Sequence, residues 1–518
     1  MIQTLKQKKN LFTNIFWIFL IILFFGFLFF GLNIINSGYH IQDDHEILYY
    51  PSIINKDTFF SVLYNFLETD GRFRPVYWIH RVLSFYLFKS NFFLYYFEFF
   101  ILGILSSIFL FFVLKKISKN GLCSIILLCF MLFGPSLIIF LGLGYGELLS
   151  LFLLSISLFF MTLNNKNYKN FNQILSLIFL TLCMFSKEQF LIAVPFVLLF
   201  KIIYDSKENS FKNALKSNIL YVSISSILLI LGIILNFYFV GNLSSAPYLI
   251  NLDFNYIIKS TSNIINLLYI KIYLFELLLF LLVILLGFVL TRGKEIKKYS
   301  IYIFITFLFL MSQLIFLGLT PNNSIQFRYL FPAFLAPVLL LSSLFEYFKS
   351  ENKRIFYMLI GFVICSTYFN LKFFSFNELK ENTNRNIIFN GYLSESRRQL
   401  NKDDNILLIG HAVNSMEYFE SVTRYYNYYG YKNIYVFPYI ESDYGSLNSF
   451  QKNLYDYLIS RFNNMWLKDM DNKAKVIIIC DYYLKNKETY KNETEINFEN
   501  YKKISDEESN TDFYILKN

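Results

Sequence analysis

Acidic and basic side chains crowd a few short stretches of an otherwise apolar chain. Residues 39–46 read YHIQDDHE and place Asp43, Asp44 and Glu46 directly after an apolar run. Carboxylates at such an edge can take a proton from an attacking hydroxyl or hold a metal ion. They are equally at home in a solvated loop. The stretch DGRFRPVYW carries Arg72 and Arg74. Guanidinium forks bind phosphate through paired hydrogen bonds, and residues two apart on an extended strand face one side. Pro75 pushes Arg74 toward that extended geometry. The plain alternative is a helix-start turn with snorkelling arginines.

Further along, MFSKEQF puts Lys187 and Glu188 between two apolar runs with almost no loop around them. Charges at such depth are costly and are commonly paired or functional, although a tight turn using a Lys-Glu pair would look the same. GLGYGE sets Glu147 at the start of a helix, where the dipole favours a carboxylate whether or not it does chemistry. IQFRYLFP sets Arg328 at the mouth of another run, as a phosphate contact or an interfacial anchor. Glu98 and Glu276 fall within or near apolar runs, and His411 follows a β-rich run. No Walker-type glycine loop, HExxH or GxSxG pattern occurs, which argues against catalysis driven by cytoplasmic ATP.

The elements that must position these groups follow from composition. The 518 residues are 55% hydrophobic, 20% aromatic and only 16% charged, against about 25% charged in ordinary soluble domains. The apolar residues come in long blocks, as in an α-helical multi-pass membrane protein. The net charge of +10 sits in short gaps between those blocks, which favours a membrane surface over nucleic acid. Cys123, Cys129, Cys183, Cys365 and Cys480 show no paired spacing and read as buried small residues, neither a disulfide framework nor a metal site. The run from Leu11 to Ile35 is too long for a signal-peptide core and reads as a retained first span.

About eleven spans are expected, over 12–36, 91–114, 122–140, 147–163, 171–185, 189–204, 219–241, 272–291, 299–319, 329–348 and 355–374. Segments on the side of the N-terminus hold 19 Lys/Arg and those on the other side 9. The positive-inside bias thus predicts a cytoplasmic N-terminus, with the long loop 37–90 outside. Residues 1–374 form the expected membrane domain and 375–518 a small extracytoplasmic α/β domain. There NILLIG, NIYVFPYI and KVIIIC read as strands of a largely parallel sheet, and 415–429 and 448–466 read as helices.

Taken in order, Asp43-Asp44 after the first span, GRFRP at 71–75 and SKEQ at 186–189 resemble the polytopic GT-C glycosyltransferases. The likeness is greatest to the protein-O-mannosyltransferase branch, including the tetratricopeptide-carrying mannosyltransferases and their bacterial relatives. It covers about residues 37–190, with an echo at RYLFP, 328–332. The resemblance implies a GT-C-like fold and sugar transfer from a polyprenyl-phosphate-linked donor, with the first-loop acid as general base. Carried over, Asp44 or Asp43 would be that base. Arg72, Arg74 and Lys187 would be candidates for the donor phosphate. Beside what is carried over, Arg328 is a further candidate phosphate contact, and Glu188, Glu147 and Glu46 are candidate supporting residues. No cofactor is required, and a divalent metal is compatible with the acids. The partners implied are the lipid-linked donor, membrane lipids and a glycan, lipid or protein acceptor, and the expected location is the bacterial plasma membrane. The chain departs from that branch in lacking a tetratricopeptide array. A transporter or flippase of lipid-linked sugars is the competing reading, but no repeated halves are found. A structural membrane subunit is a third.

Overall fold

A computed structural model of the chain describes residues 2–39, 44, 47–48, 60–64, 73–133, 135–140, 142–143, 146–163, 168–206, 211–241, 331–371, 376–411, 416–439, 452, 473–480, 496, 498–505 and 511–517. Most of these are helical. The first helix, α1 (Ile2–Gly26), runs into a π-helical turn, Phe27–Gly31, and a short 3-10 turn, Ile34–Asn36. The bundle continues with α2 (Pro75–Phe88), α3 (Phe92–Ser118), α4 (Gly121–Leu132), α5 (Glu147–Thr162), α6 (Lys169–Met184), α7 (Ala193–Ser206), α8 (Phe211–Ser217) and α9 (Ile219–Gly241). It resumes with α10 (Phe331–Glu351) and α11 (Lys353–Asn370).

Local chemistry starts several of these helices. Asn91, Asn120 and Asn352 are N-caps, each accepting from a backbone N–H of the first turn: Phe93 at 3.1 Å, Leu122 at 3.0 Å and Arg354 at 3.1 Å. An asparagine oxygen there satisfies an amide that the helix leaves orphaned. Helix α2 begins with Pro75 at its first position, where a missing N–H costs nothing.

Four helices are long and apolar enough to cross a membrane among the described residues: Leu11–Gly31, Phe92–Ser118, Glu188–Ser206 and Ile219–Asn236. Their outward faces carry Phe12, Phe16, Phe19 and Leu23 on the first and Ile227, Ile230 and Ile234 on the last, all exposed. Apolar surface of this extent is what a bilayer would cover. The expected count of eleven is not established. The runs over 122–140, 147–163 and 171–185 give helices of 12 to 16 residues, the first followed by a 3-10 turn, Pro135–Phe140. The runs over 272–291 and 299–319 lie outside the described residues. Nor are all the cysteines buried: Cys365 is exposed.

The bundle has two distinct ends. At one, Lys115 bonds Asn14, Ser342 donates to the Leu114 carbonyl at 3.0 Å, and Lys119 pairs with Glu346 at 2.7 Å. The far ends of α5 and α7 join them in kind: Lys201 donates to the Met161 carbonyl at 3.3 Å and pairs with Asp205 at 3.0 Å. Asn218, leading into α9, donates to Asp205 at 2.8 Å. Between the ends, small residues let helices approach. A Cβ on Gly103 would stand 2.5 Å from the Phe25 ring, and Ser157 meets Ser176 across α5 and α6 at 3.1 Å.

The opposite end carries the C-terminal elements. Helix α12 (Phe376–Arg398) precedes β1 (Ile406–His411), α13 (Met416–Tyr428), β2 (Ile434–Tyr439), β3 (Val476–Cys480), β4 (Tyr501–Lys503) and β5 (Thr511–Leu516). The sheet order is β2-β1-β3-β5-β4. Strands β1 to β3 are parallel, but β5 runs antiparallel to β3 and β4 antiparallel to β5. The sheet is therefore mixed, not largely parallel: a short return strand closes the edge. The expected helix over 448–466 lies outside the described residues.

If the two ends face opposite sides of a membrane, single cysteines at Asn91 and Glu395 in a cysteine-free background will label from one side of sealed vesicles. Cysteines at Lys119 and Ser350 will label only from the other. Labelling of Glu395 and Ser350 from the same side would contradict this arrangement.

Candidate functional site

Three chain segments meet at the end of the bundle that faces α12. The first is the start of α2. The Val76 N–H, one of the amides a helix leaves unpaired, donates to the Phe185 carbonyl at 3.1 Å, and Phe73 sets its ring edge-on to Phe185. The Phe73 N–H donates to Asn236 of α9 at 3.1 Å. Arg74 is thereby held at the helix start in a non-helical conformation, buried, with its guanidinium 4.8 Å from the Tyr77 ring centre and 5.7 Å from Trp78. Aromatic rings this close attract the guanidinium through their π faces and hold it at the helix start.

The second segment is the start of α5. Gly146 lies between α2 and the turn after α6, where a larger residue would be tight. A Cβ would stand 3.0 Å from Tyr77 and 3.5 Å from the Lys187 side chain. Glu147 follows as the first residue of α5 and is wholly withdrawn from solvent.

The third segment is the turn at 185–188. Ser186 meets Ser150 of α5 at 2.6 Å, and Ser150 also donates to the Gly146 carbonyl at 2.9 Å. Lys187, 4% exposed, leads into the 3-10 turn Glu188–Leu191 and sets its ammonium 3.5 Å from Glu147. Its ion-pair partner is thus a carboxylate from a different helix, not the adjacent Glu188. Among the described residues neither oxygen of Glu147 finds a hydrogen-bond donor. An ion pair this dry is net favourable only with good geometry and satisfied lone pairs, so the carboxylate retains unused acceptor capacity.

Asp44 lies in a turn closed by the Ile47 N–H on its carbonyl at 3.1 Å, and its side chain is buried. It is close enough to Tyr39 to act on it. Burial chiefly, then Tyr95, Tyr429, Tyr428 and Asp44, hold the Tyr39 phenol well above its ordinary range. The structure therefore brings Arg74, Glu147 and Lys187 together, with Glu188 beside Lys187, and sets Asp44 by Tyr39. Asp43, Glu46, Arg72 and Arg328 lie outside the described residues, as does Glu276.

Arg81 and Asn236 went unread in the sequence, and Glu98 was read there without partners. Arg81, one turn beyond Tyr77, is 2% exposed and donates to the Leu143 carbonyl at 2.5 Å, tying α2 to the segment that leads into Gly146. An arginine inside the apolar run of α2 was the available signal. Asn236 gave no signal, since its partner is 163 residues away. Glu98 is gripped by His80 at 2.9 Å and by Ser84 at 3.1 Å. Among the described residues no group of three or more His, Cys, Asp or Glu side chains gathers to hold a metal.

Chemically, the arrangement offers two buried cations beside a buried acid at the rim of an apolar bundle. Such a site suits a phosphate joined to a hydrophobic tail. Comparison with family models and with curated proteins returns no match, so this chemistry rests on the residues themselves.

Lys187→Met strips a buried carboxylate of its counter-charge, a change worth about 3–5 kcal/mol when a buried pair is broken from one side. The purified protein is expected to unfold at a clearly lower temperature, and Lys187→Met with Glu147→Gln to recover most of the loss. A neutral Lys187→Met would mean that the pair carries no such weight.

Proposed function

We propose that this chain is an integral membrane glycosyltransferase that moves a sugar from a polyprenyl-phosphate-linked donor to an extracytoplasmic glycan, lipid or protein acceptor. The observation that carries the reading is the meeting of Arg74, Lys187 and Glu147, all nearly withdrawn from water, at one end of an apolar bundle. The GT-C resemblance of the motifs that contribute Arg74 and Lys187 supports the same reading. The bacterial plasma membrane is the location that fits it, with the N-terminus cytoplasmic and the α/β domain outside. Nucleic acid has no part in it.

In this reading the lipid tail of the donor stays in the bilayer and its phosphate reaches the bundle end. The acceptor oxygen attacks the anomeric carbon, the bond from that carbon to the phosphate oxygen breaks, and a first-loop carboxylate takes the acceptor proton. Asp44 is assigned that role. The electron pair leaves with the polyprenyl phosphate, whose charge grows in the transition state. Cations held ready in a dry site act most strongly at that moment. Arg74 supplies a guanidinium fork held beside two aromatic rings. Lys187 brings a compact ammonium with three donors. Glu147 holds the ammonium in place, and Glu188 lies next to it in the turn. Asp43, Glu46, Arg72 and Arg328 remain part of the proposal through the motifs that hold them. The bond energy is already in the donor, so no nucleotide is needed.

Purified protein incubated with a panel of polyprenyl-phosphate sugars should consume one of them when an acceptor is present. Loss of a general base costs about 10²–10⁴ in rate, so Asp44→Asn should lose transfer by that factor while still binding donor. Arg74→Ala should weaken donor binding as well as turnover. Unaltered turnover in Asp44→Asn would move the base to Asp43; activity in both Asp→Asn variants would reject the mechanism. Movement of an intact donor across the membrane without cleavage would favour the transporter reading.

A further inference from the structure

The C-terminal elements touch the bundle at the segment that leads to Asp44. The carbonyls of Gly38 and Tyr39 are each held by a side chain from elsewhere. The Asn390 amide, on α12, donates to the Tyr39 carbonyl at 2.9 Å and lies 3.4 Å from that of Ser37. The Tyr96 hydroxyl of α3 donates to the Gly38 carbonyl at 3.1 Å. Asn390 is itself anchored, donating to the Asn386 carbonyl one turn back at 2.7 Å. The approach is so close that only glycine fits. Gly38 has φ +77°, and a Cβ there would stand 2.7 Å from Asn390.

A second contact braces the first. The Tyr39 hydroxyl bonds the Ser90 carbonyl, and the Ser90 hydroxyl accepts from Tyr428 of α13 at 2.7 Å. Two helices flanking β1 thus grip both the segment 37–39 and the turn before α3. Residues that lie more than 300 positions apart are joined. Asp44 follows Tyr39 by five residues and is buried.

We propose that Asn390 is a positioning residue: through its grip on residues 37–39 the C-terminal domain sets the first loop so that Asp44 meets the acceptor. This rests on the glycosyltransferase reading. It gives the domain a part in catalysis without any contact with the donor. A misplacement of about 1 Å at a reacting group is enough to cost roughly 10²-fold in rate. Among the described residues the Asn390 side chain bonds Tyr39 and Asn386 and neither Arg74 nor Lys187, so donor affinity should not depend on it.

The test uses the full-length protein in lipid nanodiscs, with hydrogen exchange and transfer kinetics measured on the same preparations. Asn390→Ala should speed exchange across residues 37–48 by about five- to tenfold, the equilibrium change for losing one hydrogen bond. Exchange in β1 and α3 should be unaltered. Transfer kcat should fall about 10- to 100-fold with donor KM unchanged. Gly38→Ala should do the same, and Gly38→Ala with Asn390→Ala should be less defective than Gly38→Ala alone, because the obstructing amide is gone. Unchanged exchange over 37–48 in Asn390→Ala would overturn the grip. Faster exchange with unchanged kcat would overturn the positioning role, as would equal loss of kcat and donor affinity, which marks general damage. A wild-type protein with normal exchange that transfers no sugar would instead refute the function on which the inference rests.

Discussion

The arrangement at the bundle end depends on a charge pair that water does not reach. Glu147 opens α5, Lys187 lies in the turn after α6, and they are 0% and 4% exposed. Burying either alone would be prohibitive, so each requires the other, and the turn must meet the start of α5. Gly146 makes the meeting geometrically available, because anything larger would press on Tyr77. Tyr77 in turn supports Arg74. One buried pair therefore specifies how α2, α5 and the turn after α6 come together, and the cation cluster is a product of that convergence.

A constraint that dry is also suited to chemistry. Charges already desolvated need no reorganisation when a second charge develops nearby. Neither oxygen of Glu147 accepts a hydrogen bond among the described residues, so the pair is not locked as tightly as a purely structural one would be. The hydroxyl pair Ser150–Ser186 beside it secures the backbone while leaving the ammonium to face its carboxylate.

Part of this was legible in the sequence. NILLIG, NIYVFPYI and KVIIIC are short branched runs bounded by polar residues, and they match β1, β2 and β3 to within a residue. The apolar runs marked helices because a long block of Phe, Ile and Leu has few other ways to satisfy its backbone. The return strands β4 and β5 were missed. Tyr501–Lys503 is only three residues long, and the inward positions Phe513 and Ile515 stand in a polar tail. Glu147 was ambiguous for a physical reason: a helix start favours a carboxylate whether or not it has a cation, and the cation lies 40 residues on. Asn236 and Asn390 were invisible, since their partners are 163 and 351 residues away and an asparagine carries no local sign of a distant carbonyl. Arg81 was readable in principle, as an arginine in an apolar helix.

The central claim is that the donor phosphate sits between Arg74 and Lys187 with its sugar turned toward Asp44. Electron cryomicroscopy of the full-length protein with an uncleavable phosphonate analogue of the donor measures this most directly. The account expects phosphonate oxygens within about 3 Å of both cations, the anomeric carbon facing the Asp44 carboxylate and the prenyl tail along the apolar outer face. A phosphonate bound elsewhere, with Lys187 still committed wholly to Glu147, would contradict it.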